Sequence, residues 1–373
     1  MNKDDLQRTI GIRVKAVRSA KGLNQDDLAK ALQLKDRQSI SDIENGKRAL
    51  KPQELILLSD ALEKDIEFFI DPFNVVGEAK FSWRASDAIK EADLNAFEEK
   101  VGRWIGLLRW LRNNSSKGCN MLNYAPRITR TPSYEDAALC AEVLVKDFNL
   151  TEIPATDLVG FVENQLNIPV IFVDAIGAFN NNAISGASCH LVDLGVIIIN
   201  RNEPESRRNF DLAHELFHIL TWDHVEPAHR ESNALEERAK DKVRRVEQLA
   251  NIFASALLMP QNSIEKKIDK SKLKDIKYLL GVASKFKVSP IALGWRLYAL
   301  NLIDKNVVSQ LKKERHSQDV KPKLFSENFI QMLHAAIDQG QLSARKAAKA
   351  MSLSLEQLKD LFCQYSLESI FDL

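Results

Sequence analysis

Cysteine is scarce in this sequence, and the few cysteines lie far apart. There are four, Cys119, Cys140, Cys189 and Cys363, and none belongs to a C-x-x-C pair. This spacing argues against a disulfide framework and against a zinc site built on cysteine, and it is typical of reduced thiols in a cytosolic protein. We therefore expect a cytoplasmic location.

Two further absences narrow the class of protein. No apolar run approaches the roughly 20 residues that span a bilayer, and no apolar segment follows the polar N-terminus MNKDDLQRTI. We therefore expect no membrane association and no signal peptide. An excess of one charge is also missing, since 52 Lys and Arg face 51 Asp and Glu, for a net charge of +1. Any surface that binds nucleic acid must therefore be local.

The chain of 373 residues is too long for one ordinary core, so several domains are expected. The expected fold class is α+β and mostly helical, with a small sheet in the central domain. The predicted parts are an all-helical domain at 1–72, a connecting helix and linker at 73–132, a central α+β domain at 133–310, and a C-terminal helical module at 311–373.

Local patterns place the main elements of these parts. Apolar residues at helical spacing predict one longer connecting helix over residues 87–112. The β-branched runs Ile168–Val173 and Val196–Asn200 predict two strands, with turn residues in NNAISGAS between them.

The stretch GLNQDDLAKALQLKDRQSISDIENGKR, Gly22–Arg48, has the pattern of two short helices joined by a tight turn. Asn24 is suited to cap the first helix and Asp36 the second, and Gly46 is suited to end the second. Apolar residues recur at helical spacing in both segments: Leu28, Ala29, Leu32, Ile40 and Ile43. The pattern predicts a helix-turn-helix.

In a helix-turn-helix, the N-terminal part of the second helix meets base edges in the major groove. The side chains expected there are those of Arg37, Gln38, Ser39 and Ser41. Arg and Gln are suited to paired hydrogen bonds with guanine and adenine. The surrounding cations suited to phosphate contacts are Arg13, Lys15, Arg18, Lys21, Lys47, Arg48 and Lys51. The alternative is a small helical module for protein interaction, and we favour DNA binding.

The segments GLNQDDLAKAL and ISDIENGKR closely resemble the XRE family of Cro-like repressors, over residues 8–70. The resemblance implies that Gln25, at the start of the first helix of the pair, touches phosphate or a base. The partner is then double-stranded DNA at an operator or promoter. The predicted DNA contacts are Gln25, Arg37, Gln38, Ser39, Ser41, Lys47 and Arg48.

A second motif lies in the central region. FDLAHELFHILTW, Phe210–Trp222, contains an H-E-x-x-H at residues 214–218. On a helix, His214 and His218 share one face and can ligate one metal ion, while Glu215 can reach a water on that ion. A zinc ion held in this way would lower the pKa of its water, and Glu215 would take the proton. Two histidines at helical spacing are also compatible with a metal-free hydrogen-bonded pair.

Catalytic zinc takes three protein ligands, so the motif needs a third one downstream. Glu247 begins EQLANIFASALLMP, a helical pattern whose packing stripe includes the small residues Ala250 and Ala254. Such a helix can lie close to the H-E-x-x-H helix, bring the carboxylate to the ion and complete a His₂Glu set of the gluzincin type. The other downstream carboxylates and imidazoles considered are His224, His229, Glu231, Glu236 and Glu237.

The pair FDLAHELFHIL and EQLANIFASALLMP looks like the ImmA/IrrE family of metallopeptidases, over residues 135–305. The resemblance implies the metal ligands His214, His218 and Glu247. It also implies Glu215 as the general base and one Zn²⁺ per chain, although the donor set does not exclude Mn²⁺, Fe²⁺ or Co²⁺. Asn251, one turn after Glu247, would either support a ligand from behind or serve packing alone.

Two other features leave alternatives open. Cys189-His190 could hold a second metal or respond to oxidants, and a pair without chemistry is the favoured interpretation. LSARKAAKAMSLSLEQL repeats a helix-turn-helix spacing near the C-terminus. Its exposed face carries fewer basic residues than the first unit, so we favour a module for protein interaction, with a homodimer as an open expectation.

Together these patterns predict a DNA-binding, zinc-dependent regulatory endopeptidase. The resemblance implies that it hydrolyses a peptide bond in a partner regulator such as a transcription repressor. The alternative is a transcription regulator, linked to a toxin–antitoxin system or a prophage, whose metal domain is a sensor or scaffold without proteolytic activity.

Overall fold

The computed structural model describes residues 3–86, 89–114, 124, 126, 128–174, 184–230, 237–311 and 320–371. In chain order, the helices are α1 (Lys3–Ala20), α2 (Gln25–Ala31), α3 (Arg37–Glu44), α4 (Pro52–Leu62), α5 (Ile66–Ile70), α6 (Glu91–Asn114), α7 (Tyr134–Asp147), α8 (Leu158–Gly160), α9 (Glu205–Thr221), α10 (Glu237–Leu258), α11 (Gln261–Lys267), α12 (Ile276–Lys285), α13 (Pro290–Ala299), α14 (Lys305–Leu311), α15 (Glu327–Asp338), α16 (Ala344–Met351) and α17 (Leu355–Gln364). The strands are β1 (Lys80–Ala85), β2 (Val170–Val173), β3 (Ile184–Leu191) and β4 (Leu194–Asn200). This composition confirms the expected fold class.

The chain divides into two compact units. The first comprises Met1–Lys80, Ala92–Cys119 and Glu327–Leu373, and the second comprises Phe81–Glu91 and Asn120–Ser326. The predicted boundaries after residues 72, 132 and 310 remain a prediction. Within the predicted connecting helix and linker, residues 87–88, 115–123, 125 and 127 lie outside the described residues. Within the described ranges, no helix is both long and apolar enough to cross a bilayer.

Helices α1–α5 of the first unit close over one core. As predicted, Asn24 caps α2 and Asp36 caps α3, where its carboxylate accepts the backbone N–H of Ser39. The structure adds a capping box between Asn24 and Asp27. Gly46 follows α3 in the left-handed region, with φ +68°, which ends the helix. The buried apolar residues are Val14, Val17, Leu28, Ala29, Leu32, Ile40, Ile43, Leu58, Leu62 and Phe69.

Two arginines of this domain have structural partners. Arg13 is buried and donates to the carbonyl oxygen of Phe69 at 2.8 Å, so its predicted contact with phosphate is wrong. Arg18 donates to both carboxylate oxygens of the buried Glu44, at 2.5 and 3.1 Å, and this hydrogen bonding raises the pKa of Arg18. The Arg18–Glu44 pair therefore joins α1 to α3 and fixes the angle of the second helix of the predicted DNA-binding pair.

The C-terminal helices belong to the same unit as α1–α6. Ser343 accepts a backbone N–H at the start of α16, and Ser354 forms a capping box at the start of α17. Trp104 of α6 donates its indole N–H to the carbonyl oxygen of Met351 at 3.2 Å. This tryptophan of the connecting helix therefore packs within the first unit.

The second unit contains a sheet in the order β1-β3-β4-β2. β2 pairs with β4 in parallel, and β3 pairs with β4 antiparallel, with Gly186 opposite Ile199 and His190 opposite Gly195. The turn predicted within NNAISGAS is wrong for Ile184–Ser188, which lie in β3, and the β3–β4 turn falls at Val192 and Asp193. Residues 181–183 of that stretch lie outside the described residues.

Helix α9 follows β4 directly and packs on both β3 and β4, while α10 packs against α9 and α7. Ala250 and Ala254 of α10 are fully buried, which lets the backbones of α9 and α10 approach closely. The rings of Phe217 and Phe253 meet across this contact with centroids 5.4 Å apart. The small-residue stripe predicted from the sequence thus brings α10 alongside the H-E-x-x-H helix.

Candidate metal centre

The H-E-x-x-H motif lies in the middle of α9, where every residue from Asp211 to Thr221 is buried. His214, Glu215 and His218 have no solvent-exposed surface. Unpaired polar side chains are costly to bury, so groups in this position must find partners or a ligand. The helix therefore holds three chemically active groups inside the core of the second unit.

Glu247 of α10 reaches the same point from the neighbouring helix. Its Oε2 lies 3.0 Å from His214 Nε2 and 3.6 Å from His218 Nε2, and the two histidine Nε2 atoms are 3.1 Å apart. Burial alone would raise the pKa of Glu247, but the attraction of His218 and hydrogen bonding to both histidines outweigh it and hold that pKa well below its ordinary value. The carboxylate is therefore ionised and faces two imidazoles.

This cluster suits a metal ion. Bonds of about 2.0–2.1 Å to a tetrahedral zinc ion place ligand atoms roughly 3.3 Å apart, close to the separations between His214, His218 and Glu247. Their ligand atoms all lie within 4.8 Å of one another, and within the described part of the chain no other group of three metal-ligating side chains meets that test. His218 Nδ1 and Glu247 Oε1 are buried without a hydrogen-bond partner among the described residues.

Asn251 supports the first histidine from behind. Its Oδ1 lies 3.0 Å from His214 Nδ1, so a hydrogen on Nδ1 leaves the Nε2 lone pair facing the other two ligand atoms. Metal-ligating histidines commonly use their second ring nitrogen in this way. The contact favours the supporting role over the packing role for Asn251.

Glu215, the residue after His214 on α9, lies against strand β3 of the sheet. A Cβ built on Gly186 of β3 would lie 3.5 Å from Glu215 Oε1, so the strand passes directly beside this carboxylate. His190 lies on the same face of β3 as Gly186, because alternate residues of a strand share a face. Its ring stacks on Trp222, just after the end of α9, with centroids 5.1 Å apart. β3 is therefore the strand that borders the centre.

Of the other candidate ligands, His224 and His229 do not join this cluster. His224 and His229 are exposed after the end of α9, and the carbonyl oxygen of His229 accepts the backbone N–H of Trp83. Glu231, Glu236 and the side chain of Glu237 lie outside the described residues. Cys189 is buried within β3 and His190 packs on Trp222, which fits the favoured interpretation of a pair without metal chemistry.

The predicted DNA-contacting residues gather around α3 of the first unit. Arg37, Gln38 and Lys47 are exposed, and Ser39 and Ser41 are partly exposed. Gln38 donates to Asp42 at 2.9 Å, a contact that DNA would have to replace.

The other two predicted DNA contacts are tied to neighbouring carboxylates. Gln25 donates to Glu44 at 2.8 Å, and Arg48 donates to Glu54 at 2.6 Å. Gln25 therefore joins α2 to α3, and Arg48 joins the segment after α3 to α4.

Family models match two segments of the chain. Residues 14–69 match the model described as Helix-turn-helix, and residues 164–298 match the model described as IrrE N-terminal-like domain, which is a peptidase family. The chain is a fusion of an XRE-type helix-turn-helix domain and an IrrE-like domain. The two domains support a DNA-binding regulator that carries a metallopeptidase-like domain.

Comparison with whole proteins adds little to this assignment. No match was found among curated proteins. The apo form of the competence regulator ComR from Streptococcus vestibularis aligns with 97% of this chain and 99% of its own, at 12% identity and a TM-score of 0.17. The low TM-score carries no argument about fold or function.

Three residues near the centre of the IrrE-like domain went unpredicted. They are Arg84, Gly186 and Asp211. A glycine inside a strand often marks the close approach of another group, but the sequence around Gly186 indicates a turn, so this signal was hidden. Arg84 and Asp211 gave no local signal, because their ion pair joins residues far apart in the sequence.

Asn251 offers a direct test of how this centre is supported. We expect Asn251→Ala to weaken zinc binding by about 10- to 100-fold, because His214 loses the group that orients its ring. Competition with a chromophoric chelator measures the affinity. Asn251→Asp, which keeps an acceptor oxygen, should bind zinc more tightly than Asn251→Ala, and the exposed Asn262→Ala on α11 serves as the control. Unchanged affinity in Asn251→Ala would reduce Asn251 to a packing role.

Proposed function

We propose that the protein is a DNA-binding regulatory zinc endopeptidase that hydrolyses a peptide bond in a partner regulator such as a transcription repressor. One observation carries the proposal: His214, His218 and Glu247 converge within 4.8 Å of one another, and Glu215 lies beside them against β3. A metal-free histidine pair would require neither the ionised Glu247 nor a second buried carboxylate at the same place.

Each residue of the centre has a separate role in this proposal. His214, His218 and Glu247 hold the ion, which when bound supplies Lewis-acid chemistry and makes water more acidic. Glu215 accepts the proton of the attacking water and then delivers it to the nitrogen of the leaving group. Asn251 keeps the His214 ring in the orientation and tautomer that metal binding needs.

An apolar groove next to the centre supports a polypeptide as substrate. The groove has a volume of about 480 Å³ and opens between α9, α10 and α13, with Asn251 in its wall. Its larger lining side chains are those of Phe210, Ile252, Ile291, Trp295 and Tyr298. Trp295 is 44% exposed, so the groove accepts apolar groups from solvent. We infer that it receives an apolar side chain of the substrate near the scissile bond.

The peptidase activity is tested with zinc-loaded protein and purified XRE-type repressors from the same genome. Mass spectrometry should find a single defined cleavage in one of them, which stops when 1,10-phenanthroline removes the metal and resumes when zinc is restored. If no repressor is cut while zinc is demonstrably bound, the sensor or scaffold alternative replaces the peptidase.

DNA binding completes the proposed function. The exposed N-terminal part of α3 presents Arg37 and Gln38, with Lys47 just beyond the end of the same helix. The buried Glu44, held by Arg18 and Gln25, fixes α3 relative to α1 and α2. We infer that α3 enters the major groove, with Arg37 and Gln38 at base edges and Lys47 at phosphate.

Variants can separate the predicted base contacts, which give sequence preference, from the predicted phosphate contact, which supports binding to any DNA. We expect Arg37→Ala with Gln38→Ala to abolish preference for the operator, since each paired contact with a base contributes about 1–3 kcal/mol, while binding to unrelated DNA persists. Lys47→Ala should instead weaken binding to all sequences and lower the salt slope by about one. Fluorescence anisotropy at several salt concentrations measures both, with the exposed Lys285→Ala as control. Undiminished operator preference in the double variant contradicts the assignment of α3.

A further inference from the structure

β1 lies in a short segment of the second unit that is flanked in the sequence by two segments of the first unit. Residues Phe81–Glu91 belong to that unit, whereas Met1–Lys80 before them and Ala92–Cys119 after them belong to the first. This segment contains β1, the outermost strand of the sheet, which pairs with β3. Because β1 is outermost, its removal would leave the pairing of β3 with β4 in place.

β1 lies next to the strand that borders the metal centre. β3, its neighbour in the sheet, passes beside Glu215 at Gly186. Without β1, the hydrogen-bonding edge of β3 next to this carboxylate would be open, and open edges pair readily with extended peptides. β1 therefore covers the sheet edge nearest to the predicted general base.

Arg84 of β1 also contacts α9, the helix that carries the H-E-x-x-H motif. Its Nη1 donates to Asp211 Oδ1 at 2.9 Å, and Asp211 is fully buried. Asp211 precedes His214 by three residues and His218 by seven, so all three share one face of α9. The Arg84 side chain therefore reaches the same stripe of α9 that carries the two histidines.

The far side of β1 is held by the segment that follows α9. Ser82 Oγ donates to the carbonyl oxygen of Ala228 at 2.7 Å, and the Trp83 backbone N–H donates to that of His229 at 2.9 Å. Trp83 is fully buried. These contacts fix β1 between β3 and residues 228–230, so an incoming peptide has to compete with an existing strand.

We propose that the edge of β3 beside Glu215 is the surface on which this protein binds an extended peptide, and that β1 holds this surface in competition with it. The inference rests on the proposed peptidase function. β1 begins at Lys80, shortly after the matched helix-turn-helix segment ends at residue 69. Release of β1 then opens the centre to a substrate.

Two hydroxamate probes test this competition on the full-length, zinc-loaded protein. Acetohydroxamic acid needs only the metal, whereas a pentapeptide that ends in a hydroxamate also needs a strand edge. The variants are Arg84→Ala, which removes the bond to Asp211, and Ser82→Ala, which removes the bond to Ala228. Lys267→Ala, which removes a surface ion pair with Glu152, is the control. Calorimetry gives both dissociation constants.

We expect the pentapeptide hydroxamate to bind Arg84→Ala and Ser82→Ala at least tenfold more tightly than the wild type and Lys267→Ala, with acetohydroxamic acid unchanged throughout. Hydrogen exchange at the Trp83 amide should accelerate in the same two variants, and Ser82→Ala keeps the test valid if Arg84→Ala fails to fold. Equal pentapeptide affinity in wild type and variants overturns the proposal. If acetohydroxamic acid binds none of the zinc-loaded proteins, the proposed peptidase centre itself is wrong, and this inference is wrong with it.

Discussion

Glu215→Gln is expected to lower the rate of repressor cleavage by about 10²- to 10⁴-fold, the contribution typical of a general acid–base group. A glutamine amide has nearly the shape of the carboxylate, so the packing of this side chain against Gly186 is preserved. The amide has no basic oxygen at neutral pH and cannot take the proton of the attacking water. Zinc binding should stay unchanged, because the predicted ligand atoms belong to other residues.

The measurement compares initial cleavage rates at equal zinc occupancy, with metal content determined for every sample. Glu265→Gln, an exposed carboxylate on α11, should cleave at the wild-type rate. Cleavage by Glu215→Gln at an undiminished rate, with zinc bound, would show that another group accepts the proton. Loss of zinc from this variant would instead place Glu215 among the ligands.

The residues of the metal centre were predictable because each part of it leaves a local pattern. His214 and His218 are four residues apart, which is enough to place them on one helix face. Glu247 lies 33 residues after His214, yet the small residues at 250 and 254 indicate that its helix packs closely. The helix caps at Asn24, Asp36, Ser343 and Ser354 were predictable for the same reason, since capping depends on a few neighbouring residues.

The strand that borders the centre was not predictable from local propensity. Ile184–Ser188 reads as a turn, because serine, glycine and alanine are weak strand formers. In the structure these residues are buried between β4 and β1, and the absence of a side chain at Gly186 gives Glu215 its room. Tertiary packing therefore overrides propensity, and it does so at the residue that the centre needs to be small.

Contacts across long sequence separations account for the other differences. Arg13 reads as a surface cation of a basic segment, but it reaches the carbonyl oxygen of Phe69, 56 residues away. Arg84 meets Asp211 across 127 residues. Charge alone does not tell a phosphate contact from a buried partner of a carbonyl or carboxylate, because both require the same guanidinium.

Removing a residue that supports a metal ligand typically weakens metal binding by about 10- to 100-fold. Glu247→Ala is expected to weaken zinc binding by more than that. Two imidazoles on α9 would remain, and the only anionic member of the proposed ligand set would be gone. Zinc at 100 times its dissociation constant should stabilise the wild type by about 2.7 kcal/mol, because the ion binds the folded chain alone. The variant should show no such increase in melting temperature at the same zinc concentration.

The same experiment shows whether Glu247 is the third ligand. Calorimetry with zinc and thermal melting with and without the ion are recorded for wild type, Glu247→Ala and the surface variant Glu265→Ala, which should match the wild type. In Glu247→Ala, an undiminished zinc affinity would mean that the third donor comes from another residue. A lost affinity with an unchanged melting temperature of the metal-free protein would show that Glu247 acts on the ion and not on the packing of α10 against α9, since a packing defect lowers stability whether or not zinc is present.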